Sequence, residues 1–185
     1  MATTPRNFET CLAKGEYGES IVRRLFEEKG YIVYNPKTKG AHPFDIFALN
    51  TGKTCIAADV KSKPRRILYP DTGISLKHYN IYLNFSKAHS MEFWIIFVDQ
   101  NSGDIYGNTI SKLDVPRIID NRTYPLNEDK TRYWPVKAMR FFHKLTDQEM
   151  KELNRLSQIN DKYKRPENRM TQPEFAGFSS HALLH

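Results

Sequence analysis

The stretch HPFDIFALNTGKTCIAADVKSK, residues 42–63, decides the fold. It holds two apolar runs, FDIFAL and TCIAADVK, joined by NTGK. Each run reads as a strand, and the short Gly-containing link between them reads as a hairpin. Strand side chains alternate between faces. Cys55, Ala57, Asp59 and Lys61 therefore share one face, and Ile56, Ala58 and Val60 share the other. The hairpin also brings Asp45, at the start of the first strand, beside Asp59 near the end of the second. Burying charge is expensive, so these three groups need a reason to be there. Two adjacent carboxylates repel, and one is driven toward protonation unless a cation joins them. Mg²⁺ takes oxygen ligands and commonly uses one or two carboxylates plus waters and a phosphate. Such an ion is a Lewis acid toward phosphorus and acidifies a bound water. Lys61 would add a point charge beside it, to orient the water or steady developing charge. The bland alternative is a buried Asp59–Lys61 ion pair with Asp45 capping the loop.

Outward from the hairpin, GEYGESIVRRLFEEKG (residues 15–30) places Ile21, Val22, Leu25 and Phe26 at helical spacing, with Gly30 as the stop. YIVYN reads as a strand and PKTKGAHP as a loop. KSKPRRILYPDTG reads as a loop, because Pro64 and Pro70 interrupt any ladder. SLKHYNIYLNFSKAHS alternates like a strand at Tyr79, Ile81, Leu83 and Phe85. It also fits a helix capped by Ser75, and helix is the expectation, because the next run needs a crossover to join the sheet in parallel. That run, MEFWIIFVD, reads as a central strand buried on both faces. GDIYGNTI is expected at the sheet edge, and YWPVKAMRFFHKL as one further strand. TDQEMKELNRL reads as a helix with a capping box, Thr146 with Glu149. The tail from about residue 160 is polar and aperiodic, and is expected to be mobile. The fold class is α/β: a mixed sheet flanked by helices, with a C-terminal strand–helix extension. A single domain is expected over residues 1–159, its core at about 15–115 and its extension at 116–159, with 160–185 as tail.

The 185 residues are 39% hydrophobic and 12% aromatic, enough for a real core. No apolar run reaches a membrane span, and MATTPRNFET lacks a signal-peptide core. Two cysteines, Cys11 and Cys55, are too few for a disulfide scaffold or thiolate cage, so a cytoplasmic location is expected. A net charge of +7 favours a polyanionic partner. No Walker loop, Gly-x-Ser-x-Gly or Cys-x-x-Cys pair is present.

The hairpin residues resemble the PD-(D/E)xK nuclease superfamily, whose core is restriction-endonuclease-like. The pattern here is PFD, thirteen intervening residues, then DVK. Phe44, between Pro43 and Asp45, departs from the usual spacing. The opening helix, GESIVRRLFEEKGYIV, is similar to that of archaeal-type Holliday junction resolvases and related phage and restriction enzymes. The resemblance covers about residues 15–107 and implies a Mg²⁺-dependent DNA endonuclease in which Mn²⁺ can substitute. It implies that Asp45, Asp59 and Glu19 hold metal with the Val60 carbonyl, and that Lys61 serves the attacking water. Glu16, one turn earlier in the helix, is the runner-up to Glu19.

Cations flank the motif: Lys37 and Lys39 before Asp45, then Lys63, Arg65 and Arg66 after Lys61. They are expected to hold DNA phosphates on either side of the scissile one, against the alternative of solvated loops. His42 and His78 are weaker candidates, and Tyr79 and Tyr82 are read as core. A homodimer would supply the two sites that duplex cutting needs, although no residue pattern marks it. The rival functions are a catalytically inactive nucleic-acid-binding protein that retains the nuclease fold, and a partner protein with a structural ion pair.

Overall fold

The chain opens with a helix that starts well before the periodic stretch. The computed structural model describes residues 5–34, 44–52 and 54–157, and over them α1 runs Pro5–Glu28. Its start lies ten residues before the expected Gly15. Proline is well tolerated at a first helical position, and the glycines at 15 and 18 do not end the helix. Gly30, at φ 82°, closes the helix as expected, and the Tyr31 amide bonds back to the Phe26 carbonyl.

The strands β1 (Ile32–Tyr34), β2 (Ile46–Leu49) and β3 (Cys55–Ser62) follow, then β4 (Asp71–Ser75) and α2 (Leu76–His89). Ser75 caps α2 by accepting from the His78 amide at 3.2 Å. Next come β5 (Phe93–Val98), β6 (Asp104–Thr109), the short α3 (Ile110–Leu113), β7 (Arg117–Ile119), β8 (Arg122–Tyr124), β9 (Leu126–Glu128) and β10 (Thr131–Pro135). A 3₁₀ turn at Val136–Ala138 leads to β11 (Arg140–Lys144) and α4 (Asp147–Ser157). The expected capping box is formed: the Thr146 amide donates to Glu149 at 2.8 Å and the Glu149 amide to the Thr146 hydroxyl at 3.2 Å.

The main sheet has the order β1-β2-β3-β5-β6-β11. All neighbours are antiparallel except β3 and β5, whose parallel pairing needs the α2 crossover. α1 lays Ile21, Val22 and Leu25 on the face of Ile46, Ala48, Ile56, Ala58 and Val60. α4 joins that layer through Leu153, and Arg24 of α1 pairs with Glu149 of α4. On the opposite face α2 buries Tyr79 and Tyr82 against Phe93 and Ile95. The architecture is thus the expected mixed sheet flanked by helices. No helix among the described residues is long and apolar enough to cross a membrane.

Three expectations need correction. GDIYGNTI is an interior strand, because β11 pairs outside it. Its polar residues are satisfied inside: Asn108 donates to the Ala138 carbonyl at 2.9 Å, and Lys144 meets Asp104 at 2.8 Å. YWPVKAMRFFHKL is two strands in two sheets, broken at the 3₁₀ turn after Pro135, since proline ends the ladder. The loop after the motif ends at residue 70, because Asp71–Ser75 pairs with β10. The loop at 36–43 with Lys37, Lys39 and His42, and the tail at 160–185, lie outside the described residues.

Candidate active site

The hairpin does what its alternation demands. Ile46 pairs with Ala58, and the Asp45 amide donates to the Ala58 carbonyl at 2.9 Å, which seats Asp45 beside Asp59 just ahead of β2. The Val60 amide donates to Asp45 Oδ2 at 2.8 Å, so the second strand fixes the first carboxylate. Val60 itself turns its side chain into the α1 layer.

Asp59 lies in the middle of the sheet, between β2 and β5, and is 3% exposed. Its Oδ1 accepts from Lys61 Nζ and from the Tyr82 hydroxyl, each at 2.7 Å. Its Oδ2 is buried and has no hydrogen-bond partner. Buried polar atoms are nearly always satisfied, so an orphaned carboxylate oxygen calls for a ligand. Burial, and then the neighbouring Asp45, push the Asp59 carboxyl up to about 7, against the pull of Lys61 and Tyr82.

Glu19 reaches the same neighbourhood from α1. Burial, followed by Asp45, raises it to about 7, and Lys61 pulls the other way. Glu16 is exposed. The helix can bring Glu19 this close because residue 18 is glycine. A Cβ there would stand 1.9 Å from Ser62 Oγ on β3, and the buried Ser62 hydroxyl has no partner at this crossing.

The structure therefore brings together Glu19, Asp45, Asp59 and Lys61, and adds Tyr82, a residue expected only in the core. Tyr82 does pack there, stacked on Phe93 at 4.6 Å, but its hydroxyl ends on Asp59. The available signal was its place one turn after His78 on the crossover helix. His78 is exposed and stacks on Tyr82 at 6.1 Å; burial and Lys61 lower its pKa. Tyr79 turns away, to Asp114 and Trp134.

The cations after the motif are engaged within the protein. Lys63 Nζ donates to the Gly73 carbonyl at 2.6 Å, and burial and Lys61 lower its pKa. Arg65 pairs with the buried Asp99 at 3.2 Å. Arg66 forks onto Asp71 at 2.6 and 2.7 Å, reaches Glu128 at 2.5 Å, and lies 3.8 Å over the Tyr133 ring. They hold the 63–70 loop against β4 and β10.

Among the described residues no three His, Cys, Asp or Glu side chains form a ready-made metal cage. The donor set still fits a hard divalent cation, because two carboxylates with waters suffice for Mg²⁺. The unpartnered Asp59 Oδ2 and the upward shifts of Asp59 and Glu19 describe a site that a cation would relieve.

No family model matches the sequence, and no curated protein matches it. Among solved structures, the chain is similar to Hjc, a Holliday junction resolvase from the archaeal hyperthermophile Archaeoglobus fulgidus. The likeness has a TM-score of 0.49 at 16% identity and covers 67% of this chain and 90% of that chain. It assigns no role to any residue here.

Proposed function

We propose that the protein is a metal-dependent DNA endonuclease that hydrolyses phosphodiester bonds inside the cell. The observation that carries this reading is the Asp59 carboxylate: buried beside Asp45, held by Lys61 and Tyr82 through one oxygen, with the other oxygen unpartnered. Asp45, Asp59 and Glu19 would hold Mg²⁺ or Mn²⁺, with the Val60 carbonyl as an added ligand. The ion would supply Lewis acidity toward phosphorus and lower the pKa of a water.

The chain's own groups do the rest. The Val60 amide fixes Asp45, and Tyr82 fixes the rotamer of Asp59. Lys61 is 30% exposed at its side chain, so its ammonium can meet both the buried carboxylate and an incoming phosphate. There it orients the attacking water or steadies the charge that develops on the phosphate oxygens. The water oxygen attacks phosphorus in line, the P–O3′ bond breaks, and the products carry a 5′-phosphate and a 3′-hydroxyl. With Arg65 and Arg66 bound to carboxylates and Lys63 held by the Gly73 carbonyl, Lys61 is the motif cation that would meet the scissile phosphate first.

The test is one gel series with supercoiled plasmid, linear duplex, single strand and a four-way junction. Cleavage of at least one form is expected with Mg²⁺ or Mn²⁺ and of none in chelator, while Ca²⁺ supports binding without turnover. Cleavage that persists in chelator would remove the metal from the mechanism. Binding with no cleavage under any metal would favour the inactive binding protein.

A further inference from the structure

The 63–70 loop leaves β3 straight after Lys61 and carries an apolar tip. Leu68 is 79% exposed, more than any other large apolar side chain among the described residues, and Tyr69 beside it is 42% exposed. Exposed loop tips are normally small, polar and loosely held. This one is large, apolar and anchored. The Asp71 amide donates to the Tyr69 carbonyl at 2.7 Å and the Arg66 amide to the Asp71 carbonyl at 2.9 Å, which closes the turn beneath Leu68. The buried Asp71 carboxylate takes the Arg66 fork and the Tyr124 hydroxyl, the latter at 2.8 Å. The β7–β8 hairpin then packs on the tip, with the Arg122 guanidinium 3.6 Å over the Tyr69 ring. Strand pairing puts Arg117 on the same hairpin face as Arg122 and Tyr124. Both arginines keep uncompensated charge. Arg117 donates to the carbonyls of Val115 and Lys112, at 3.1 and 2.7 Å, and both of these are neutral. Arg122 has a carboxylate oxygen of Glu128 at 3.9 Å, and that oxygen already accepts from Arg66 at 2.5 Å.

We propose that Leu68, backed by Tyr69, is a wedge that enters the base stack of duplex DNA within one helical turn of the scissile phosphate. This inference rests on the nuclease reading and narrows its substrate to a duplex that can be unstacked. Leucine is among the apolar side chains that pry base steps apart, and unstacking costs free energy, so a wedge has to be held firmly. The bonds around Asp71 supply that mount. Reach agrees. The chain from Lys61 to Leu68 spans at most ~25 Å, which is about seven base-pair steps. Charge agrees as well, because Arg117 and Arg122 beside the tip can meet the phosphates that flank an opened step. A partner protein fits less well. A stable protein contact buries roughly 800 Å² per partner, far more than one loop tip offers, whereas a wedge needs one or two side chains. Unstacking is cheapest where stacking is already weak, so gapped or mismatched duplex should be preferred to continuous duplex.

The test reads unstacking directly, from the fluorescence of 2-aminopurine placed at successive positions of a linear duplex. The full chain is added with Ca²⁺, so no turnover is needed. At one position the fluorescence should rise on binding. Leu68→Ala should abolish that rise. It should also weaken binding to this duplex about tenfold more than binding to the same duplex with a single-nucleotide gap, where the step is already open. Leu68→Phe should keep the rise. Leu68 is exposed, so both variants should melt close to the parent. Binding with no rise at any position overturns the proposal. A rise that survives in Leu68→Ala/Tyr69→Ala overturns it too, as does an equal loss on the two duplexes, which is the result expected if the tip serves a protein partner. The two readings fail separately. A chain that unstacks duplex but cuts no DNA with Mg²⁺ or Mn²⁺ refutes the nuclease, while a chain that cuts without any rise refutes the wedge alone. No binding to any duplex overturns both.

Discussion

Replacing Asp59 by Asn separates a metal-binding carboxylate from a structural ion pair. In metal-free protein the Asp59 carboxyl sits at about 7 against an ordinary 3.8, chiefly through burial. Between those values the folded chain keeps a proton that the unfolded chain has released. Stability therefore falls as pH rises through this window, and above about 7 the ionised form carries the whole penalty. At ~1.4 kcal/mol per pH unit the window amounts to ~4 kcal/mol. Asn has no such titration. Its carbonyl can still accept from Lys61 and Tyr82, and its amide takes the place of the orphaned oxygen. Any cost of burying that amide is the same at every pH, so it cancels from the comparison.

The quantity to measure is thus the change in Asn-minus-Asp stability between pH 4 and pH 8, in chelator. It should move in favour of Asn by about 3–4 kcal/mol, close to 10 °C in relative melting temperature for a chain of this size. Lys61 does not reverse the sign. Its side chain is 30% exposed against 4% for Asp59, so losing its partner leaves it with water. Adding Mg²⁺ should then stabilise the parent and leave Asn unchanged. A flat difference curve, or one favouring Asp at pH 8, would show that the Asp59–Lys61 charges stabilise the fold and that the metal argument fails.

Glu19→Gln should lower cleavage far more than Glu16→Gln, since Glu19 is half-buried near Asp45 and Lys61 whereas Glu16 is exposed; equal rates on initial-velocity gels would remove Glu19 from the site. Gly18→Ala should cost about 1–3 kcal/mol and depress cleavage with it, because the new Cβ meets Ser62 Oγ. Adding Ser62→Ala should recover part of both losses, and no recovery would place the strain elsewhere. Tyr82→Phe removes a donor that lowers the Asp59 pKa, so denaturant titrations should show a loss of about 1–2 kcal/mol above pH 7 and little at pH 4. A pH-independent loss would make Tyr82 a packing residue alone.

Where local pattern and tertiary environment agree, the fold is legible in the sequence. The β2–β3 hairpin, the doubly buried β5, the Ser75 cap and the Thr146–Glu149 box each follow from spacing within a few residues. β7, β8 and β9 are not legible, because each has three residues and is stabilised by its partner strand rather than by its own composition. Their two-residue turns, at Asp120–Asn121 and Asp129–Lys130, do have positive φ. Asp-Asn and Asp-Lys are weaker hairpin signals than Asn-Gly or Asp-Gly. The interior place of β6 is not legible either, because the partners of its polar Asp104 and Asn108 lie about 30 to 40 residues further along the chain.

The same distinction divides the site. Asp45, Asp59 and Lys61 are legible because a hairpin with period 2 leaves one arrangement for them. Tyr82 is not, because tyrosine on an apolar helix face satisfies a core reading completely until the position of its hydroxyl is known. Arg65 and Arg66 show the converse. Beside a motif that expects phosphate they read as substrate contacts. Their acceptors are Asp99 and Glu128, from two other parts of the chain, and Asp71, only five residues beyond Arg66 but brought to it by the pairing of β4 with β10. A net charge of +7 counts these cations with the rest, although their charge is neutralised inside the protein. Charge that can meet a polyanion is better read from cations whose partners are neutral or incompletely matched. By that measure Lys63, held by a neutral backbone carbonyl two residues from Lys61, keeps a charge that Arg65 and Arg66 have spent on carboxylates.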